Sequence, residues 1–278
     1  MARELPLGRT PLLLRSVAGK TLHDQRRSLP WWLGGIAALV LSYASFWPSV
    51  RESGERFNAF VRSAPAWIRD LIGSPDLATP EGYVRSELFS ITLPILLLVY
   101  GIGLGARAIA GEEERGSLDL LLSAPVRRSR VVVERFAALA GGLLLLSATA
   151  WAAILVLGPP FELRLDPAGA AAACLLAWLL GLAFGSIAFA VGTASGRRAL
   201  AAGIAAAAAL LAFLVNTFAP SVDWVRPLRW ASPFHYYAAH DPLVGAFRPL
   251  DAAVLAGIAV VALAVATVTF ERRDVGVG

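Results

Sequence analysis

Six apolar runs, at about residues 30–50, 88–109, 137–158, 168–194, 199–218 and 250–270, constrain this chain more than any motif within it. Each is near the ~20 residues that a helix rising about 1.5 Å per residue needs to cross a hydrocarbon core ~30 Å thick. Backbone in lipid must satisfy its own hydrogen bonds, so runs of this length read as transmembrane helices. The expected fold class is therefore all-α integral membrane, with residues 1–278 forming one transmembrane domain. Composition agrees: 57% of residues are hydrophobic and 16% charged, where soluble domains average about 25% charged.

An even number of spans places both termini on one side, and the distribution of Lys and Arg selects it. With the N-terminus cytoplasmic, the inner segments hold 16 basic residues and the outer segments 9, which favours that orientation. The same placement accounts for the net charge of +5. No basic face with interleaved aromatics is present, so nucleic acid is not an expected partner. In the first run, Trp31 and Trp32 at one end and Trp47 at the other are spaced by about 24 Å of helix, as aromatic belts at the two interfaces would be. About thirty residues rich in Arg precede that run and no small-residue cleavage site follows it, so it reads as a retained anchor rather than a signal peptide.

Outside the spans the pattern is helical but interrupted. Residues 9–28 carry Leu14, Val17, Ala18, Thr21 and Leu22 on one face and Arg15, Lys20, His23 and Asp24 on the other, as in a helix lying in the membrane interface. A loosely ordered basic tail is the alternative. Ala18-Gly19-Lys20-Thr21 ends like a phosphate-binding loop, but position 14 is Leu where that loop needs Gly. In the outer segment 51–87, Phe57, Phe60, Val61, Ala64, Ile68 and Leu71 recur at helical spacing around Pro65, predicting two short amphipathic helices. Segment 219–249, with Trp224, Trp230, Phe234, Tyr236 and Tyr237 among five prolines, predicts broken helical pieces at the outer interface. His235 and His240 lie there; with no Cys or third His beside them, surface or capping roles fit better than a metal site. The lone Cys174 sits in an apolar run as a small hydrophobe.

Well inside the spans there is no Asp, Glu, Lys, Arg or His, and the most polar side chain is Asn216. Ion-coupled transporters keep such costly residues at mid-membrane for function, and intramembrane hydrolysis needs an acid, base or ligand set. Both classes are disfavoured, as is a channel. Small residues are plentiful instead: Ala177, Gly181 and Gly185 in the fourth run and Gly101, Gly103 and Gly105 in the second. Such spacings permit close helix approach, either at a subunit contact or as ordinary features of an Ala- and Gly-rich membrane chain.

Segment 111–136, GEEERGSLDLLLSAPVRRSRVVVERF, differs from everything else. Glu112, Glu113 and Glu114 end the second helix, and Gly116-Ser117 breaks it. Ser117 caps a short new helix with Asp119 in its first turn, favourable for the helix dipole. Leu118, Leu120, Leu121 and Leu122 supply an apolar face and Pro125 ends it. Arg127, Arg128 and Arg130 then lead into the third span. An apolar knob rimmed by charge is a surface a soluble partner can grip; a solvated connecting loop is the alternative, with its leucines unusually exposed.

These residues resemble the permease subunits of ABC transporters of the ABC-2 export type. In that family an acidic cluster after the second span precedes a Gly-Thr-Leu-Glu-Leu-Leu-Leu-like helix, a proline and an Arg-containing entry to the third span. Here stand Glu112 to Glu114, then Gly116-Ser117-Leu118-Asp119-Leu120-Leu121-Leu122, Pro125, Arg128 and Arg135, with Ser117 and Asp119 as conservative departures and Arg127 where a small hydroxyl residue is common. The likeness extends over the chain, from the N-terminal interfacial (elbow) helix to Ser232-Pro233-Phe234 before the last span.

The resemblance implies a non-catalytic export subunit that dimerises, as a homodimer, in the membrane of a prokaryotic cell. It implies two copies of an ATPase subunit docked through a coupling helix at 117–124, with Glu112, Glu113, Glu114, Arg115, Gly116, Ser117, Leu118, Asp119, Leu120, Leu121, Pro125 and Arg128 as the coupling residues. Leu118, Leu120 and Leu121 would enter a groove on the ATPase while Glu114, Arg115 and Asp119 form a polar rim. No cofactor is expected on this chain; ATP and Mg²⁺ would sit on the partner. The competing reading is an accessory membrane protein that anchors or regulates a partner complex without its own transport pathway.

Overall fold

The computed structural model describes residues 28–63, 79–114, 128–220 and 222–273. The expected interfacial helix at 9–28, most of it, and the expected coupling helix at 117–124 lie outside the described residues. Among those described there is no strand, and six helices are long and apolar enough to cross a membrane.

Helix α1 (Leu29–Ser63) carries the first span and runs on past it. The opening part of the outer segment, expected as a separate short helix, is thus the continuation of the span. Pro48 lies inside α1, where a missing donor is tolerated if neighbouring groups compensate. Trp47 is not in an outward belt: it is buried against Tyr83, with ring centroids 5.2 Å apart, whereas Trp31 is exposed.

The second span begins earlier than its apolar run. It comprises α2 (Pro80–Val84), a π-helical stretch at Arg85–Thr92, and α3 (Leu93–Arg107). Pro94 lacks the N–H that an α-helix would aim at Ser90, and Leu93 N–H instead reaches five residues back to Leu88. The Ser90 and Thr92 hydroxyls donate to the carbonyls of Arg85 and Glu87 at 2.8 and 2.9 Å, which satisfies groups the wider turn leaves open. Glu81, Arg85 and Glu87 disguise this helical start in the sequence.

After α3 the chain breaks at Ala108 and Ile109, and one short helix, α4 (Ala110–Glu113), carries the acidic residues. The third span, α5 (Arg128–Leu157), starts nine residues before its apolar run. The fourth, α6 (Pro167–Ser195), is capped by Asp166, whose carboxylate accepts Gly169 N–H at 2.7 Å, and closed by Gly196 in the left-handed region at φ 66°. The fifth, α7 (Arg198–Phe218), follows at once. Between it and the sixth span, α9 (Pro249–Arg272), come a 3₁₀ turn at Arg226–Ala231, short helix α8 (Pro233–Ala238) and a second 3₁₀ turn at Pro242–Val244. These are the broken helical pieces the sequence predicts.

Helix α6 is the centre: 72% of its most apolar stretch is buried, against 22% for the first span and 17% for α7. Helices α3, α5, α7 and α9 pack around it. The tightest crossing is with α3, where the two glycine sets meet each other. A Cβ on Gly105 would lie 2.2 Å from the Gly185 carbonyl oxygen, and one on Gly101 2.8 Å from that of Gly181. These four glycines therefore serve a crossing within one chain; Gly103, with open space around it, is not part of it.

Candidate functional site

The residues singled out by the sequence gather at the end of the bundle where α3 stops and α5 begins, here called the charged end. Because the chain breaks at Ala108 and Ile109, α4 turns the three glutamates away from the line of α3 and toward three other helices. Glu112 is buried and forms an ion pair at 3.6 Å with Arg135, also buried, on the second turn of α5. Glu113 grips Arg273 with both carboxylate oxygens, at 2.7 and 3.0 Å. Glu114 accepts the backbone N–H of Arg198 at 2.8 Å. That N–H belongs to the first turn of α7, which has no intrahelical acceptor and carries the positive end of the helix dipole.

Arg273 follows α9 and joins several parts of this end. Its guanidinium also donates to the Thr193 carbonyl of α6 at 3.3 Å, and lies with Glu113 against Gly196. A Cβ at Gly196 would sit 2.5 Å from the Arg273 nitrogen and 2.7 Å from the Glu113 carboxylate, so the positive φ and the tight space both call for glycine. The Arg273 carbonyl in turn accepts a hydrogen bond from the Arg128 guanidinium at 2.8 Å. Glu113 and Arg128 flank the segment 115–127 on its two sides. Both flanks are thus tied to one residue.

Of the expected coupling residues, Arg115, Gly116, Ser117, Leu118, Asp119, Leu120, Leu121 and Pro125 lie outside the described residues. Glu112, Glu113, Glu114 and Arg128 are brought together. The Glu114 carboxylate, expected on a polar rim, is engaged with the N-terminus of α7. Nothing in the sequence pattern singles out Arg273, Arg198, Thr193 or Gly196; Arg197-Arg198 and Arg272-Arg273 stand there only among the basic residues at the ends of the spans.

The opposite, aromatic end is built from α8 and the two 3₁₀ turns. Ser232 Oγ donates to the Ala212 carbonyl at 2.8 Å, and the buried Tyr237 hydroxyl donates to the Phe89 carbonyl in the π-helical stretch. Burial raises the Tyr237 pKa. Arg85 pairs with Asp241 at 2.7 Å, and His240 Nδ1 with Asp251 Oδ2 at 2.7 Å. His240 thus takes a pairing role with a carboxylate at the start of α9. His235 packs between the Trp230 and Tyr236 rings; burial, and then the nearby Arg229 charge, hold its imidazole below its usual pKa. Two clefts of about 470 and 480 Å³ open here and share Asn216, Ala238, Ala239 and His240 as lining. Among the described residues, no three His, Cys, Asp or Glu side chains gather as a metal site would require.

Comparison with curated proteins returned no match. Comparison with family models matched one, described as ABC-2 family transporter protein, over residues 15–275. That match takes in all six spans and the acidic segment between the second and third. Membrane proteins of this family are transport components, generally non-catalytic, that work with ABC ATPase subunits. This chain, a multi-pass membrane permease, belongs to the ABC-2 transporter family.

Proposed function

We propose that the chain is the membrane-spanning half of an ATP-driven exporter in the cytoplasmic membrane of a prokaryote, acting as a homodimer with two ATPase subunits. In this reading the charged end and both termini are cytoplasmic. The segment 117–124 is the docking helix, with Leu118, Leu120 and Leu121 in a groove of the ATPase. ATP and Mg²⁺ are held by that partner. A second copy would pack on α1 and α7, the spans that bury least of themselves within one chain.

The observation that carries the reading is the convergence of Glu113 and Arg128 on Arg273. A loop that only connects two spans has no need of anchored flanks. A helix that must pass a push from a partner does, because force applied to an untethered loop is absorbed by the loop. Through Glu112, Glu113 and Glu114 a displacement of 115–127 would reach α5, α9 and α7 together, shifting the dimer between inward-open and outward-open states.

Leu120→Asp places a charge on the expected apolar face and should abolish co-purification of the ATPase and substrate-stimulated ATP hydrolysis in reconstituted vesicles. Unchanged co-purification and turnover would overturn the docking assignment. An accessory anchor would retain the ATPase yet show no substrate-stimulated hydrolysis in the unaltered protein.

A further inference from the structure

The two clefts at the aromatic end differ in chemistry across a shared wall. One is apolar, lined by Phe89, Leu176, Phe213, Phe234 and Leu243, and its charged residues Arg85 and Asp241 neutralise each other. Its floor reaches Ala173 and Leu176, six and nine residues into α6 from Pro167. The other is lined by Arg229 and Arg248, with His235, Trp230 and Tyr236 beside them. Its one carboxylate, Asp251, is paired with His240.

Neither Arg229 nor Arg248 has a carboxylate within ion-pair distance among the described residues. Arg229 stacks over the Trp230 ring at 5.0 Å, and its Nε is buried without a hydrogen-bond acceptor. Arg229 and Arg248 therefore both line this cleft without a carboxylate to neutralise them, and Arg229 has an Nε whose hydrogen-bonding capacity the described residues leave unused. Asn216, the one amide in the spans' interior, lines both clefts.

We propose that the two neighbouring clefts bind one anionic amphiphile from the adjacent bilayer leaflet, draped over their shared rim at Asn216, with its headgroup at Arg229, Arg248 and Asn216 and its hydrocarbon along Phe89, Phe213 and Leu176. Guanidinium groups present paired donors to phosphate or carboxylate. Each cleft falls within the roughly 300–1,000 Å³ of ordinary ligand sites. The exposed Trp224 and Trp230 place this wall at headgroup level, where such rings partition. The site is independent of the coupling assignment, since none of its residues belongs to the charged end.

The test uses the permease purified without any ATPase in dodecyl maltoside micelles. Dioctanoyl phosphatidylglycerol, dioctanoyl phosphatidylcholine and inorganic phosphate are each titrated, and affinity is read from the concentration dependence of the unfolding temperature. Phosphatidylglycerol should bind at least tenfold more tightly than phosphatidylcholine, and inorganic phosphate should produce no shift at the same concentrations. Arg248→Gln and Arg229→Gln should each weaken phosphatidylglycerol about tenfold, the expected effect of losing one charge-assisted hydrogen bond. Arg226→Gln, an exposed arginine paired with Asp223 and absent from both linings, should leave it unchanged. Arg248 is exposed, so its variant folds whatever happens at Arg229. Equal affinity for phosphatidylcholine, an equal shift with inorganic phosphate, or an Arg248→Gln protein that binds like the unaltered one would each overturn the proposal.

Discussion

The crossing of α3 and α6 offers the sharpest test of the fold, because Gly103 and Gly105 sit two residues apart on one helix in opposite circumstances. A methyl group at 105 would stand 2.2 Å from the Gly185 carbonyl oxygen, 3.1 Å from its carbonyl carbon and 3.2 Å from the Phe189 nitrogen. All three are backbone atoms of α6, so no side chain can rotate away. Restoring an ordinary contact requires the helices to part by about 1 Å, a gap that forfeits a sizeable part of each dispersion contact along the crossing. Overpacking of this kind costs about 1–3 kcal/mol, against at most about 1 kcal/mol regained from replacing Gly by Ala in a helix. With a net loss of about 1–2 kcal/mol, Gly105→Ala should lower the unfolding temperature in detergent by roughly 2–8 °C, at about 2–4 °C per kcal/mol for a chain of this size. Gly103→Ala meets nothing within 4 Å and should be neutral or raise it slightly. Equal unfolding temperatures for the two variants would refute the crossing.

Glu112→Gln removes the carboxylate that pairs with the buried Arg135 and should destabilise the protein by about 3 kcal/mol, while Glu112→Gln with Arg135→Met should recover most of the loss; equilibrium unfolding of both variants measures the coupling. Tyr237→Phe removes the donor to the Phe89 carbonyl and should cost about 1 kcal/mol by the same measurement. His235, whose folded pKa lies below its unfolded value, binds fewer protons folded than unfolded, so its contribution to stability falls as pH drops below about 6.5 and levels off beneath the folded pKa. The difference in unfolding temperature between the unaltered protein and His235→Gln should accordingly shrink on acidification from neutral pH, and a difference that grew would reverse the sign of the argument.

The six spans were legible because an apolar run of membrane length has few other folds open to it. Their ends were less so. Glu81, Arg85 and Glu87 hide the start of the second span, and Arg128, Arg130 and Glu134 that of the third, since helix outside hydrocarbon needs no apolar face all round. The glycine sets were visible, but not that they meet each other, because small-residue spacing marks closeness without naming the neighbour. The acidic triplet was visible as a cluster, and its partners were not. Glu113 and Arg273 are 160 positions apart, and no periodicity in a sequence records a pairing at that range. Trp47 misled for a related reason: its position suits an interface, but Tyr83 draws it inward.

Arg273 also sets a clock. A ribosome adds roughly 5–20 residues each second, so the 160 residues separating Glu113 from Arg273 take about 8–32 s to synthesise. Until the sixth span has emerged, the flanks of segment 115–127 have no common anchor. In a nascent chain the two flanks therefore stay unconnected for more than half of translation, and Glu113 and Arg128 meet at Arg273 only when the bundle is complete.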